Sequence, residues 1–172
     1  FFCTSVPGDL TGKVVTATAT SPGGSTSVFS PAPRFRLRAL EVNQSVQDWA
    51  NRLPLFTGKP TFVRVHLETV GPPPIYVTNV AELQPRLHGR RGGQALPGSP
   101  LSPLRSTDAV IPVNAEDARG DFDSTLNFRL PPAWCEGAIE LQFEGLGVAC
   151  AEPDAAHPAS AACKQCGQTL TF

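Results

Sequence analysis

Apolar and polar residues alternate along this chain in a series of short runs. In Phe62–Glu68, Val63, Val65 and Leu67 fall on one side, and Phe62, Arg64, His66 and Glu68 on the other. That period of two predicts a strand with one buried face. Gly58-Lys59-Pro60 ahead of it is a turn signal, and proline is tolerated at the first residue of a strand. Gly137–Glu144 repeats the pattern, with Ile139, Leu141 and Phe143 against Glu140, Gln142 and Glu144. Ser124–Leu130 sets Leu126, Phe128 and Leu130 inward; Pro131-Pro132 ends it, and Trp134 stands at the corner. Arg34–Val42 reads as a strand whose alternation slips near Ala39-Leu40, the mark of a bulge or a change of sheet.

Weaker runs predict strands at 75–77, 80–87, 108–113 and 168–172. In the second of these, Ala81, Leu83 and Leu87 share a face, and Pro85 argues for an edge. Gly71-Pro-Pro-Pro74 reads as a rigid connector. Segments 89–103, 114–123 and 145–167 read as loops. Val46–Asn51 is too short to hold a helix alone, and no helical period exceeds about two turns. Some seven short strands separated by turn signals predict an all-β chain folded as an antiparallel β-sandwich.

The first 33 residues read as a separate unit. Lys13–Thr20 alternates, Ser21-Pro-Gly-Gly24 is a turn, and Ser25–Ser30 returns, which predicts a β-hairpin. Pro31-Ala-Pro33 is a stiff linker. The expected organisation is a hairpin unit over 1–33 and a β-sandwich over 34–172.

Composition sharpens this picture. The chain has 172 residues, 41% of them hydrophobic, enough for one ordinary core and a smaller piece. Eighteen prolines and fifteen glycines punctuate the short segments as all-β chains require. A net charge of −1 gives no general attraction to nucleic acid or an anionic surface. No apolar run is long enough to span a bilayer. Methionine is absent even at position 1, which reads as a processed product or a fragment. Of five cysteines, four follow position 134 in a Gly/Pro/Ala-rich end with little core to bury them. That points to an oxidising, extracellular or cell-surface location.

Candidate chemistry is sparse. Asn114, Glu116, Asp117, Asp121 and Asp123 carry the oxygens that Ca²⁺ takes, but their spacing fits no EF-hand loop, and a solvated acidic loop is the preferred reading. Cys150, His157, Cys163 and Cys166 have the elements of a Cys3His zinc site. The competing and favoured reading is a disulfide from Cys150 to Cys163 or Cys166, which would close the loop before the last strand and stabilise it by about 3 kcal/mol. Arg119-Gly120-Asp121 spells an integrin-type tripeptide, which three residues spell easily by chance. Asn43-Gln-Ser45 is a glycosylation sequon. Gly89-Arg-Arg-Gly-Gly93 would cradle phosphate only if a helix followed, and none is predicted. His66 and His88 read as surface residues, and Arg34, Arg36 and Arg38 as a stripe capping an exposed sheet face. No His-Glu-x-x-His, Gly-x-Ser-x-Gly or Walker pattern is present. The expectation is a protein without catalytic residues or cofactor.

Two resemblances add to this. Val15–Thr20 followed by Ser25–Ser30 resembles the closing hairpin of a bacterial immunoglobulin-like repeat, with Ser25 where that pattern has Asn. Leu40–Gln47, Leu53–Val65, Ala95–Leu101 and Leu126–Trp134 resemble four ordered motifs of an immunoglobulin-like module of large secreted bacterial surface proteins. Cys135 departs from that pattern. The resemblance implies an immunoglobulin-like sandwich over 34–172 with a structural or adhesive role, as spacer or subunit of a cell-surface fibre. Some such modules lie upstream of a zinc metallopeptidase domain, so an accessory domain of a secreted peptidase is the alternative. The expected partners are neighbouring β-sandwich domains or further copies of the chain, joined by strand pairing, with no nucleic acid and no membrane insertion. An orphan hairpin exposes strand edges that invite such pairing.

Overall fold

The computed structural model describes residues 20–24, 26, 35–70, 75–105, 107–150 and 167–172. Among the described residues, ten short strands carry the fold. In the first sheet β1 (Phe35–Asn43) and β2 (Phe62–Thr69) lie antiparallel at the centre. β7 (Thr125–Arg129) flanks β2, and β9 (Val148–Cys150) runs parallel to β1. The second sheet has the order β10-β8-β4-β5, from β10 (Gly167–Thr171), β8 (Ala138–Glu144), β4 (Arg86–Arg91) and β5 (Gln94–Ala95), antiparallel throughout. β3 (Ile75–Asn79) and β6 (Thr107–Ile111) form a separate antiparallel pair.

The inward residues are those that the alternation picked out. Val63, Val65 and Leu67 of β2, with Leu126 and Phe128 of β7, meet Ile139, Leu141 and Phe143 of β8 and Leu170 of β10 in one buried cluster. The rings of Phe128 and Phe143 cross between the sheets edge to face, 6.3 Å apart. Each large side chain removed from water here contributes about 1.5–3 kcal/mol. The result is an all-β, sandwich-like fold.

The slip in β1 is a bulge between Leu37 and Ala39. It reconciles an odd pattern of burial. Phe35 and Leu37 face the core before it, and Leu40 and Val42 face the core after it. The extra residue flips the side-chain parity, so the strand keeps one apolar face along its whole length. The same flip sets Glu41 on the outer face.

Three expectations are corrected. Val80–Leu83 is a single turn of 3-10 helix, not the start of a strand. Its buried residues, Val80 and Leu83, stand three apart, which is one side of such a turn. Segment 89–103 is not wholly a loop. Gly89–Arg91 continues β4, and Gly92 and Gly93, both with positive φ, turn it into β5 as a type I′ hairpin demands. Within 145–167, residues Val148–Cys150 form β9. Of the N-terminal hairpin, the structure describes a bridge between Thr20 and Thr26 and the Gly24 N–H to Ser21 carbonyl bond that closes the turn. The remainder of 1–33 lies outside the described residues.

Trp134 locks the corner between the sheets. Its side chain is fully buried, its Nε1 donates to the Pro97 carbonyl at 2.9 Å, and its six-membered ring lies against Gly89. Any Cβ at residue 89 would stand 2.3 Å from that ring, so only glycine fits.

Candidate functional site

A group of ionisable side chains is enclosed on the outer face of the first sheet. The β1–β2 register sets Glu41 opposite Arg64 and Ala39 opposite His66. Glu41 therefore reaches His66 diagonally, Oε2 to Nε2 at 2.9 Å. Arg64 stands 3.8 Å from the same oxygen, and Arg119 donates to the other oxygen at 3.3 Å. Trp49 closes the group. Its ring meets the imidazole edge to face at 4.6 Å, and the Arg119 guanidinium covers it at 4.4 Å. Glu41 is 3% exposed and His66 1%.

Electrostatics follows from that enclosure. Burial pushes the His66 imidazole below its ordinary value; Glu41 opposes this, and the charges of Arg64 and Arg119 reinforce it. Burial works to raise the Glu41 carboxyl, but the hydrogen bonds and charges of His66 and Arg119 outweigh it and hold the group low. Near neutrality the group is thus a neutral imidazole and a carboxylate between two guanidiniums.

Further along the same face, Glu68 binds Arg36 at 2.6 Å and stands 3.8 Å from Arg38, while its second oxygen accepts the Ala115 N–H at 3.0 Å. The arginine stripe is therefore engaged by a buried carboxylate of the chain itself. Arg34 lies outside the described residues.

Segment 114–123 lies across this face. Arg64 donates to the carbonyls of Arg119 and Asp121, and Arg119 donates to the carbonyl of Gln47 at 2.7 Å. Arg119-Gly120-Asp121 is thus tied down at both ends, with Arg119 turned onto the sheet. The three aspartates among the calcium candidates make different bonds. Asp117 accepts from the Asn114 amide, Asp121 from Ser124 Oγ and the Asp123 N–H, and Asp123 pairs with Arg105. The bonds from Ser124 and Asp123 hold the Asp121 carboxyl below its ordinary range. Among the described residues, no three His, Cys, Asp or Glu side chains gather closely enough to hold a metal ion. None of their helices is long and apolar enough to cross a membrane.

His66 is not the surface residue that its place on a polar face suggested; the segment above it removes it from water. His88 is partly exposed and pairs with Glu144 across β4 and β8 at 2.9 Å. His157, Cys163 and Cys166, with Cys3, lie outside the described residues, and with them the zinc set and the disulfide. The Cys150 backbone sits opposite Leu37 in the parallel pair. Cys135 is a buried free thiol beside the Trp134 corner. Asn43, of the sequon, ends β1 opposite Phe62.

Several polar residues of these motifs hold loops in place. Gln44 bridges the Phe56 carbonyl and Thr61 Oγ1, Gln47 donates to the carbonyls of Val42 and Leu53, and Asn127 donates to that of Phe122. Asn51, in the loop between β1 and β2, accepts the Val42 N–H and donates to the Leu40 carbonyl and Gln168. Gln47, Asn51 and Asn127 each tie a loop to a strand, and Gln44 ties two parts of one loop together. Comparison with known proteins finds no matching family model, no matching curated protein and no matching solved structure.

Proposed function

We propose that this chain is a non-catalytic extracellular β-sandwich module with a structural or adhesive role, working as a spacer or as a subunit of a cell-surface fibre. The observation that carries this reading is the use to which the ionisable groups are put. Glu41 and His66 have the makings of an acid–base pair, yet the imidazole is buried under Trp49 and Arg119, and the carboxylate is shared with two guanidiniums. A general base must reach the proton that it abstracts. These groups instead hold a covering segment on a sheet. The likeness of the four motifs to immunoglobulin-like modules of large secreted bacterial proteins supports the same reading, as does a hairpin pattern whose edges suit pairing with a neighbouring domain or another copy.

A screen with peptide, ester and glycoside substrates tests the non-catalytic part. It gives no turnover above blank. Turnover that disappears on substitution of a single residue overturns it.

A further inference from the structure

Segment 114–123 is held on the first sheet by charge and hydrogen bonds rather than by apolar burial. Ala115 is its one buried residue, while Val113 before it and Phe122 near its end are exposed. Its anchors are Ala115 N–H to Glu68, Arg119 to Glu41 and to the Gln47 carbonyl, and Arg64 to the carbonyls of Arg119 and Asp121. The apolar core lies on the other face of the same strands, with no ionisable side chain in it but the Cys135 thiol. The two faces of β1 and β2 thus differ in what holds them. One depends on a charge balance and the other does not.

We propose that Glu41, His66, Arg64, Arg119 and Trp49 form an acid-released latch, which holds segment 114–123 on the first sheet at neutral pH and lets it go, with the sandwich intact, when His66 takes up a proton. His66 is faced by Glu41 from β1, by Arg64 on its own strand, by Arg119 from the covering segment and by the Trp49 ring from the loop after β1. Thr125, opposite it on β7, is neutral. The Glu68 carboxylate further along β2 is already engaged by Arg36 and Arg38. One carboxylate therefore balances two guanidiniums beside the ring, and an imidazolium makes a third cation in an enclosed site. Burial that leaves a cation without its own counter-charge is strongly unfavourable. Of the two guanidiniums, Arg119 is the one that can leave with the segment, because Arg64 belongs to β2 and Arg119 to no strand. Its departure removes one cation and opens the ring to water. Released, the segment uncovers the polar outer face of β1 and β2 and frees Arg119.

Hydrogen exchange on the full chain at pH 7.5 and 5.0, expressed as protection factors, tests this. In the wild type the amides of residues 115–121 lose protection by up to about 30-fold, the ceiling for a site that titrates normally only when open. Those of β2 and β8 keep theirs. His66→Gln, which can still donate to Glu41 but cannot titrate, keeps the segment protected at both pH values. Arg119→Gln exposes it already at pH 7.5, with β2 and β8 still protected. Equal protection of 115–121 at both pH values in the wild type overturns the proposal, as does an undiminished pH response in His66→Gln. Loss of protection throughout the chain, in the wild type at pH 5.0 or in Arg119→Gln, overturns the separation between latch and core.

Discussion

Gly89→Ala tests whether the Trp134 corner is packed as tightly as the structure indicates. The backbone at Gly89 needs no positive φ, so the effect comes from space alone. A methyl group there meets three ring atoms of Trp134 at 2.3, 2.6 and 2.7 Å. These are carbons of a rigid, fully buried ring, not the end of a flexible chain, so the ring or β4 has to move. Overpacking of a filled core costs about 1–3 kcal/mol. A displaced indole also strains or loses its bond to the Pro97 carbonyl, and an unsatisfied buried donor costs about 1–3 kcal/mol. Alanine returns roughly 0.5–1 kcal/mol through its smaller backbone entropy loss. The net expectation is a destabilisation of about 2–4 kcal/mol. Urea unfolding followed by circular dichroism measures it as a lower midpoint at unchanged slope. Gly120→Ala is the control, since nothing stands within 4 Å of its added methyl group, and it should stay within about 0.5 kcal/mol of wild type. In a Trp134→Phe background the cost of Gly89→Ala should shrink, because the smaller ring vacates the contact. A cost below about 0.5 kcal/mol, or one as large in the Trp134→Phe background, refutes the argument.

Two further outcomes concern the ionic cluster. Glu41→Ala leaves Arg64 and Arg119 without their shared carboxylate and should cost about 2–4 kcal/mol in the same urea assay, the upper end being limited by the partial exposure of both arginines. Stability should also fall on acidification in two stages. Both groups lie below their ordinary values in the fold, His66 below 6.5 and Glu41 below 4.5, so the unfolded chain takes up each proton first. The His66 contribution is present above about pH 6.5 and is lost as pH falls through its folded value; the Glu41 contribution is present above about pH 4.5 and is lost below that. Urea midpoints at pH 7.5, 5.5 and 4.0 check this, and His66→Gln should remove the first decline and keep the second.

Local alternation carried most of the fold. β1, β2, β7, β8 and β10 stand where the period of two put them, with Val63, Val65, Leu67, Leu126, Phe128, Ile139, Leu141 and Phe143 inward. Even the bulge in β1 showed as a slip of one position. The failures have physical causes. Gly89-Arg90-Arg91 has no β-forming side chain, because residue 89 answers to the Trp134 ring and the arginines are exposed. Val80–Leu83 mimics alternation while obeying a spacing of three. β9 is three residues long and depends on a partner more than one hundred positions away. The ionic cluster was hidden for a related reason. Alternation tells which face of a strand points away from the core, but not whether that face meets water. Segment 114–123 settles that for Glu41, His66 and Glu68, and nothing local to those residues announces it. Only alignment of β1 against β2 across the bulge brings Glu41 toward His66.

The structural role itself turns on the hairpin pattern of residues 13–30. Two strands alone bury too little surface to be stable in water, and unpaired edges recruit strands from a neighbour. Sedimentation velocity over a range of concentrations, on the full chain and on one lacking residues 1–31, measures what that pattern does. Head-to-tail species that lengthen with concentration are expected in the full chain, and a monomer of unchanged core stability after truncation. A truncated chain that assembles as the full one does contradicts this expectation.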